Sequence, residues 1–429
     1  PHMAHLTPEE RKTNFQEIVF GYTDEQAKNE AMRCLECGCG DVYECKLIKY
    51  ANEYDVKPAR VAGEVHNRNL HDDHPFIDRN PDKCILCGLC VRVCEEVMGV
   101  TALGLVDRGF DTIVQPEFGL PLRETDCLSC GQCVAACPTG ALQERLTIDK
   151  SVPLNTDETK TICSYCSVGC NLNLKSKGEL LVKSVPDKES QVDNGLLCVK
   201  GRFGFNMGQK GTRITEPLIK KDGEFMPGSW DEVLLFIAKK TQSIASRYGS
   251  NALAVSVSDR YTNEEIFLAN KFGKDILKTE NVFSFNGFDA GLQDVLGYDA
   301  STNTFDELLS AQAILLIGSD IMKEYPVAGL KIKEAVKNGA KLVTINPSDT
   351  LADEWAVKKV NPENDIKFIK EILKAAINEQ PQNAVGFDEL KQSLESIEPG
   401  EDAREIAEVY GKAKNAIIAY GLALDNVKK

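Results

Sequence analysis

No cysteine lies in the last 231 of the chain's 429 residues, so any thiolate chemistry is confined to the stretch that ends at Cys198. Long apolar runs are missing too, which excludes a helical membrane span. Basic residues are the minority: 50 Lys and Arg face 65 Asp and Glu, a formal charge of −15. That is the wrong sign for a protein that follows nucleic-acid phosphates or an anionic membrane surface. No Gly-x-Gly-x-x-Gly follows a strand-like run and no Gly-x4-Gly-Lys-[Ser/Thr] occurs, so the chain is expected to carry no dinucleotide or P-loop site of its own. No secretory or twin-arginine leader opens the sequence, and Pro1-His2-Met3 reads as a vector remnant outside the fold.

What is present is a soluble, globular composition, 42% hydrophobic and 27% charged, long enough for about three domains. Sixteen cysteines fall between Cys34 and Cys198. Clustered Cys-x-x-Cys pairs in a chain without a leader point to metal ligation in a reducing, cytoplasmic compartment rather than to disulfides. Two runs share one spacing: Cys84-x2-Cys87-x2-Cys90-x3-Cys94 and, 43 residues on, Cys127-x2-Cys130-x2-Cys133-x3-Cys137-Pro138. In such a repeat the last cysteine of each run ligates the other run's iron–sulfur cubane. The expected sets are Cys84, Cys87, Cys90 and Cys137 for one [4Fe-4S] cluster, and Cys94, Cys127, Cys130 and Cys133 for the next.

Cys163-x2-Cys166-x3-Cys170 with Cys198 supplies four further ligands, and the less regular Cys34-x2-Cys37-x-Cys39-x5-Cys45 another four. Zinc is the alternative for each group, although zinc knuckles use two separated pairs rather than runs of four. For the first group a three-ligand cluster also stays open. Read as cubanes, the sixteen thiols close on four clusters with none left over, so His66, His71 and His74 are not needed as ligands. Each oxidised cubane adds about −2, which brings the loaded chain to about −23 and calls for partners with basic docking faces.

The rest of the sequence divides into modules. Residues 4–70 read as a helical domain around the first cysteine group. Within it Thr7-Pro8-Glu9-Glu10 and Thr23-Asp24-Glu25-Gln26 cap two helices, and a third spans Lys46 to Tyr54. Residues 71–150 hold the repeat, a ferredoxin-like two-cluster domain, and residues 158–217 a small one-cluster domain. From 225 to 429 helix and strand signals alternate. Ser229-Trp230-Asp231-Glu232 opens a helix to about Tyr248 and Thr262-Asn263-Glu264-Glu265 opens another. Strands are expected at Leu253–Val257, Val282–Phe285, Ala313–Ile317, Leu342–Ile345 and Ala416–Ala419. The expected class is α+β, multidomain, ending in an α/β domain whose parallel sheet is covered on both faces.

These motifs resemble known families. Asn80-Pro81-Asp82-Lys83-Cys84-Ile85-Leu86-Cys87-Gly88 and Cys137-Pro138-Thr139-Gly140-Ala141-Leu142 look like the two-cluster module shared by iron-only hydrogenases, NAD-linked formate dehydrogenases and the large iron–sulfur subunit of complex I. Residues 160–425 resemble the first part of the molybdopterin oxidoreductase fold, through Cys163 to Cys198, Val199-Lys200-Gly201-Arg202, Thr262-Asn263-Glu264-Glu265 and Ile317-Gly318-Ser319-Asp320. Arg33-Cys34-Leu35-Glu36-Cys37-Gly38-Cys39 is similar to cluster motifs of flavoproteins of the glutamate synthase small-subunit type.

Several features depart from those families. Metal-bearing molybdopterin relatives take a cysteine or selenocysteine ligand from the first α/β domain, where this chain has Ser284-Phe285. Asn346-Pro347-Ser348-Asp349 stands where the family has an Asp-Pro-Arg loop, with an acid where a cofactor phosphate wants a cation. The chain stops at Lys429, near the close of the first α/β domain, so the pterin-binding half is expected to be absent. A hydrogenase catalytic cluster would need further cysteines downstream, and there are none.

The resemblance therefore implies an electron-transfer subunit with four [4Fe-4S] clusters, no molybdopterin or flavin of its own, and no catalytic residue. Its expected partners are a flavin subunit that binds NAD(P)H and a second redox protein, a ferredoxin, hydrogenase or formate dehydrogenase subunit, in a complex of the kind that can bifurcate electrons. Lys200, two residues after Cys198, is expected either to tune the adjacent cluster or to face solvent. The competing expectation is a truncated catalytic molybdenum or tungsten oxidoreductase, similar to formate dehydrogenase.

Overall fold

The computed structural model describes residues 2–32, 44–64, 74–145, 155–205, 214–258, 260–284, 297, 300–377 and 386–421. Cys34, Cys37, Cys39, His66, His71 and Phe285 lie outside the described residues.

Local capping chemistry starts the N-terminal helices. The Thr7 and Thr23 hydroxyls accept from the N–H groups of Glu10 and Gln26, whose side chains bond back to the cap backbone, and the helices Pro8–Arg11 and Asp24–Ala31 follow. A third helix, Lys46–Glu53, carries Tyr54 as its C-cap.

The repeat is held together by two antiparallel ribbons. Strands β1 (Ile77–Arg79) and β4 (Leu142–Glu144) pair across its ends, and β2 (Gly104–Val106) pairs with β3 (Ile113–Gln115). The first ribbon buries Ile77 and Leu142 in a core that also contains Leu103, Leu122, Cys90 and Cys133. Next comes an antiparallel sheet of β5 (Asp157–Ile162), β6 (Asn171–Lys177) and β7 (Leu180–Pro186), then a hairpin of β8 (Leu218–Lys221) and β9 (Glu224–Pro227). None of these strands is among the sequence expectations. The edge strand β5 reads Asp-Glu-Thr-Lys-Thr-Ile and is exposed along most of its length, so it carries no apolar alternation to find.

The α/β region departs from the expectation of one sheet. β10 (Val255–Val257) and β11 (Val282–Ser284) form a parallel pair of their own. β12 (Ala313–Ile317), β13 (Lys341–Ile345), β14 (Lys358–Val360) and β15 (Ala416–Tyr420) form a four-stranded parallel sheet in the order β14-β13-β12-β15. With β13 on one side and β15 on the other, β12 has no edge left for the short pair.

The four-stranded sheet is covered on both faces. Ile314, Leu316 and Leu342 pack with the helix Pro326–Lys337, while Leu315, Val343 and Ile345 pack with Ile372, Ala403 and Ile406 on the other side. The first of these cores also takes in Met98, Cys170 and Leu197, so the α/β domain is welded to the cysteine modules. The helix Trp230–Tyr248, by contrast, buries no residue.

Candidate metal centres

The repeat in sequence is a repeat in backbone conformation. Leu86 and Ser129, 43 residues apart, both have positive φ, 54° and 52°, and Gly88 and Gly131 follow at 71° and 69°. This left-handed geometry folds each loop back over its first cysteine. The Leu86 N–H donates to the Cys84 Sγ at 3.4 Å, and the Ser129 N–H donates to the Cys127 Sγ at 3.4 Å. Each glycine then caps a short helix, Leu89–Arg92 or Gln132–Ala136, that presents Cys90 or Cys133 inward. Gly131 also meets a close neighbour, because a Cβ there would lie 2.9 Å from the Phe203 ring.

The two runs exchange their last cysteines. One cavity is lined by Cys84, Cys87, Cys90 and Cys137, another by Cys94, Cys127, Cys130 and Cys133, and a third by Cys163, Cys166, Cys170 and Cys198. With the solvent space at their mouths included, they span about 480, 380 and 320 Å³ respectively. None of the thirteen described cysteines is in a disulfide. Among the described residues no three His, Cys, Asp or Glu side chains converge to hold a single metal ion. Four thiols spread around a cavity fit a multi-atom core better than a lone zinc, which needs all four sulfurs at about 2.3 Å.

The electrostatics fit the same group. Burial pushes the Cys90 thiol up to about 11, with Cys84 and Cys137 adding to the rise, and pushes Cys130 up to about 12. Cys133 is raised well above the usual thiol range by burial and then by Cys130 and Cys127. Cys163 is also raised by burial, and Cys170 by burial and then by the Asp193 carboxylate. Thiols packed this closely resist ionising together unless a cationic core sits among them, which is what an iron–sulfur core supplies to its thiolate ligands.

The cavities lie side by side. Cys130 of the second and Cys198 of the third face one cleft, together with Lys200 and Lys323. The buried Gln132 bridges the same boundary, donating from Nε2 to the Leu197 carbonyl at 3.3 Å. Cys90 and Cys94 are electrostatic neighbours of Cys133, which links the first cavity to the second. Cys45 is buried beside Pro138, the residue after Cys137, and the Lys46 N–H donates to the Pro138 carbonyl at 3.0 Å.

Lys200 is exposed where it lines the cleft between Cys130 and Cys198. His74 has a role that the sequence did not reveal. Its Nδ1 accepts from the N–H groups of Phe76 and Ile77 at 3.2 and 3.1 Å, which leaves the ring proton on Nε2, 3.2 Å from the Ser129 Oγ. It thus braces the loop whose N–H bonds Cys127, and the spacing of histidine to cysteine gave no signal of that. Asp193, the buried carboxylate that acts on Cys170, accepts from the Asn171 N–H at 2.9 Å and from the Ser190 hydroxyl.

The Asp349 carboxylate in the loop that departs from the family pattern pairs with Lys359 at 2.6 Å. Ser284 ends β11.

The family pattern of the molybdopterin oxidoreductases matches residues 213–428, half of the chain. The chain belongs to the molybdopterin oxidoreductase family. Within this family member the molybdopterin oxidoreductase Fe4S4 domain matches residues 156–209 and a 4Fe-4S dicluster domain matches residues 78–141, so the cysteine modules in these two stretches are of [4Fe-4S] type. It is 29% identical over 390 residues to "Probable oxidoreductase YjgC" of Bacillus subtilis, covering 79% of this chain and 38% of that protein. It is 30% identical over 365 residues to the NADPH-Fe(3+) oxidoreductase subunit alpha of Geobacter sulfurreducens, covering 83% of this chain and 42% of the other. The chain thus spans about two fifths of the length of the curated relatives it matches. Acetylene hydratase from Pelobacter acetylenicus has a TM-score of 0.54 over 62% of this chain and 40% of its own, at 22% identity, which shows a shared fold alone. No described helix of this molybdopterin oxidoreductase family member is long and apolar enough to cross a membrane.

Proposed function

We propose that the chain is an electron-transfer subunit carrying four [4Fe-4S] clusters, bound by Cys34, Cys37, Cys39 and Cys45, by Cys84, Cys87, Cys90 and Cys137, by Cys94, Cys127, Cys130 and Cys133, and by Cys163, Cys166, Cys170 and Cys198. Such clusters supply one-electron redox chemistry. The observation that carries this reading is the unbroken succession of thiol-lined cavities, with Cys45 beside Pro138 at one end and the Cys163 cavity at the other. A succession of this kind suits a wire between two sites on different subunits.

One partner in this reading is a flavin subunit that handles NAD(P)H, and a ferredoxin, hydrogenase or formate dehydrogenase subunit takes the other end, in a complex able to bifurcate electrons. The NADPH link of the Geobacter relative supports the first partner. Reduced thiols in such number suit a cytoplasmic site of action. The α/β domain serves as a scaffold without a pterin, a reading supported by the Asp349–Lys359 pair in the loop where a cofactor phosphate would need a free cation.

A second reading, a catalytic molybdenum or tungsten subunit completed by further polypeptide, is favoured by the family match over residues 213–428. Elemental analysis of anaerobically purified protein separates the two. The wire requires about sixteen iron atoms per chain and neither molybdenum nor tungsten. Stoichiometric molybdenum or tungsten would overturn it.

A further inference from the structure

The turn that carries Cys94 into the second cavity is fastened from outside the cysteine modules. It is a π-helical turn, Val93–Val97, and the Lys333 ammonium donates to its last three carbonyls, those of Glu95, Glu96 and Val97, at 3.2, 3.2 and 3.4 Å. Lys333 stands on the helix Pro326–Lys337 of the α/β domain, 236 residues beyond Val97. Gly99 closes over the ammonium: its φ is 71°, and a Cβ there would lie 2.7 Å from the Lys333 Nζ and 3.4 Å from the Trp355 ring. The centroid of that ring is 5.6 Å from Nζ. Met98, between the turn and the glycine, is buried in the core that also holds Leu330.

The last carbonyls of a helix lack partners within it, and a cation among them satisfies their lone pairs and the negative end of the helix dipole together. What this clamp fixes is a ligand. Past Gly99 the chain doubles back, so that the Val100 N–H donates to the Cys94 carbonyl at 3.0 Å and the Ala102 N–H to the Cys94 Sγ at 3.3 Å. Burial, and then Lys337, hold the Lys333 ammonium below the usual lysine value, while Cys94 acts on it as an opposite charge. The ammonium therefore holds the loop and is felt at the Cys94 sulfur.

We infer that Lys333 is a positioning residue for the cluster of Cys94, Cys127, Cys130 and Cys133: it clamps the turn that carries Cys94 and so fixes that sulfur and its hydrogen bond from Ala102. The inference rests on the reading that the second cavity holds an iron–sulfur cluster. A hydrogen bond at sulfur and a nearby positive charge both favour the reduced state, so Lys333 raises that cluster's potential. The α/β domain then does more than support the wire. Through one lysine it sets the potential of a cluster that it does not ligate.

The test is an EPR-monitored redox titration of the full iron-loaded chain, with Cys94→Ser identifying the signal of the cluster that Cys94 serves. Lys333→Met keeps the stem but loses the charge and its three hydrogen bonds, and is expected to shift that signal to lower potential and leave the others in place. Lys333→Arg, a cation able to donate to the same carbonyls, is expected to recover part of the shift. Lys337→Met removes an equal charge one turn further along the same helix and is expected to leave the signal where it is. Gly99→Ala crowds the ammonium without changing any charge; it is expected to lower the same potential and keeps the inference testable if Lys333→Met fails to fold. If Cys94→Ser alters a signal that neither Lys333→Met nor Gly99→Ala moves, or if Lys337→Met shifts it as far as Lys333→Met does, the inference on Lys333 falls alone. If Cys94→Ser removes no iron and alters no signal, the cluster reading of the second cavity falls with it.

Discussion

Replacing Cys94 by serine tests which thiols share a cluster. Cys94 follows Cys90 by four residues, yet a π-helical turn, Val93–Val97, swings it into the cavity of the second run, where its Sγ accepts from the Ala102 N–H at 3.3 Å. A serine hydroxyl does not ionise at neutral pH as a thiol near iron does, so the second cavity loses one of its four ligands. The chain then retains three complete sets. The expected loss is about four of about sixteen iron atoms per chain, or about one where a three-iron core survives on the remaining ligands. Iron assay together with EPR of the dithionite-reduced protein reads this directly. The signal of the cluster held by Cys127, Cys130 and Cys133 should vanish or change type, while that of the Cys84 group keeps its shape and intensity. A change confined to the Cys84 group would refute the exchange of ligands between the runs.

Three further outcomes are expected. Lys200→Met removes a positive charge from the cleft between Cys130 and Cys198 and should lower the potential of the cluster of Cys163, Cys166, Cys170 and Cys198; an unchanged redox titration would mean that the lysine is spent on solvent. In Gly204→Ala the new Cβ would sit 2.7 Å from the Tyr165 Cζ, and the Tyr165 hydroxyl that donates to the Gly204 carbonyl at 2.7 Å must move; thermal unfolding should show a loss of roughly 1–3 kcal/mol, against about 1 kcal/mol for Tyr165→Phe, and equal stability of Gly204→Ala and the parent would contradict the packing. In the iron-free chain the raised thiols of Cys90, at about 11, and Cys130, at about 12, bind protons that the unfolded chain has already released. Their contribution to stability is complete below the ordinary thiol value of 9.0 and is lost as pH rises through about 11 and 12, so melting temperature should fall steeply over that window without iron and stay flatter with it. Parallel profiles for the two forms would count against these thiols as ligands.

Local chemistry was readable in the sequence and long-range placement was not. The capping boxes at Thr7, Thr23, Ser229 and Thr262 are written within four residues each, and all four helices start there. The strands β12 and β13 were readable because strands buried on both faces are continuously apolar. β14, Lys-Lys-Val on the outer edge of that sheet, has no such run and went unseen, as did the polar β5. The separation of β10 and β11 from the main sheet depends on β15 arriving from about a hundred residues downstream, which no short window of sequence carries. Cysteine spacing indicated which thiols could share a cavity. The support for those thiols comes from elsewhere: His74 reaches Ser129 across 55 residues and Gln132 reaches Leu197 across 65. Arg202 was visible only as part of a family motif, and its pairing with Glu144, 58 residues away, appears only in the folded chain.

The central claim is that this chain conducts electrons and does no two-electron chemistry alone. It is tested by mixing the iron-loaded chain anaerobically with NADPH or NADH, with and without a flavin partner subunit, and following its broad visible iron–sulfur absorbance. The chain alone should keep its colour, and addition of the flavin subunit should bleach it, more slowly as salt screens the approach of a basic face to this acidic protein. Rapid bleaching by the nucleotide without any partner would contradict the claim and require a hydride-accepting site within the chain.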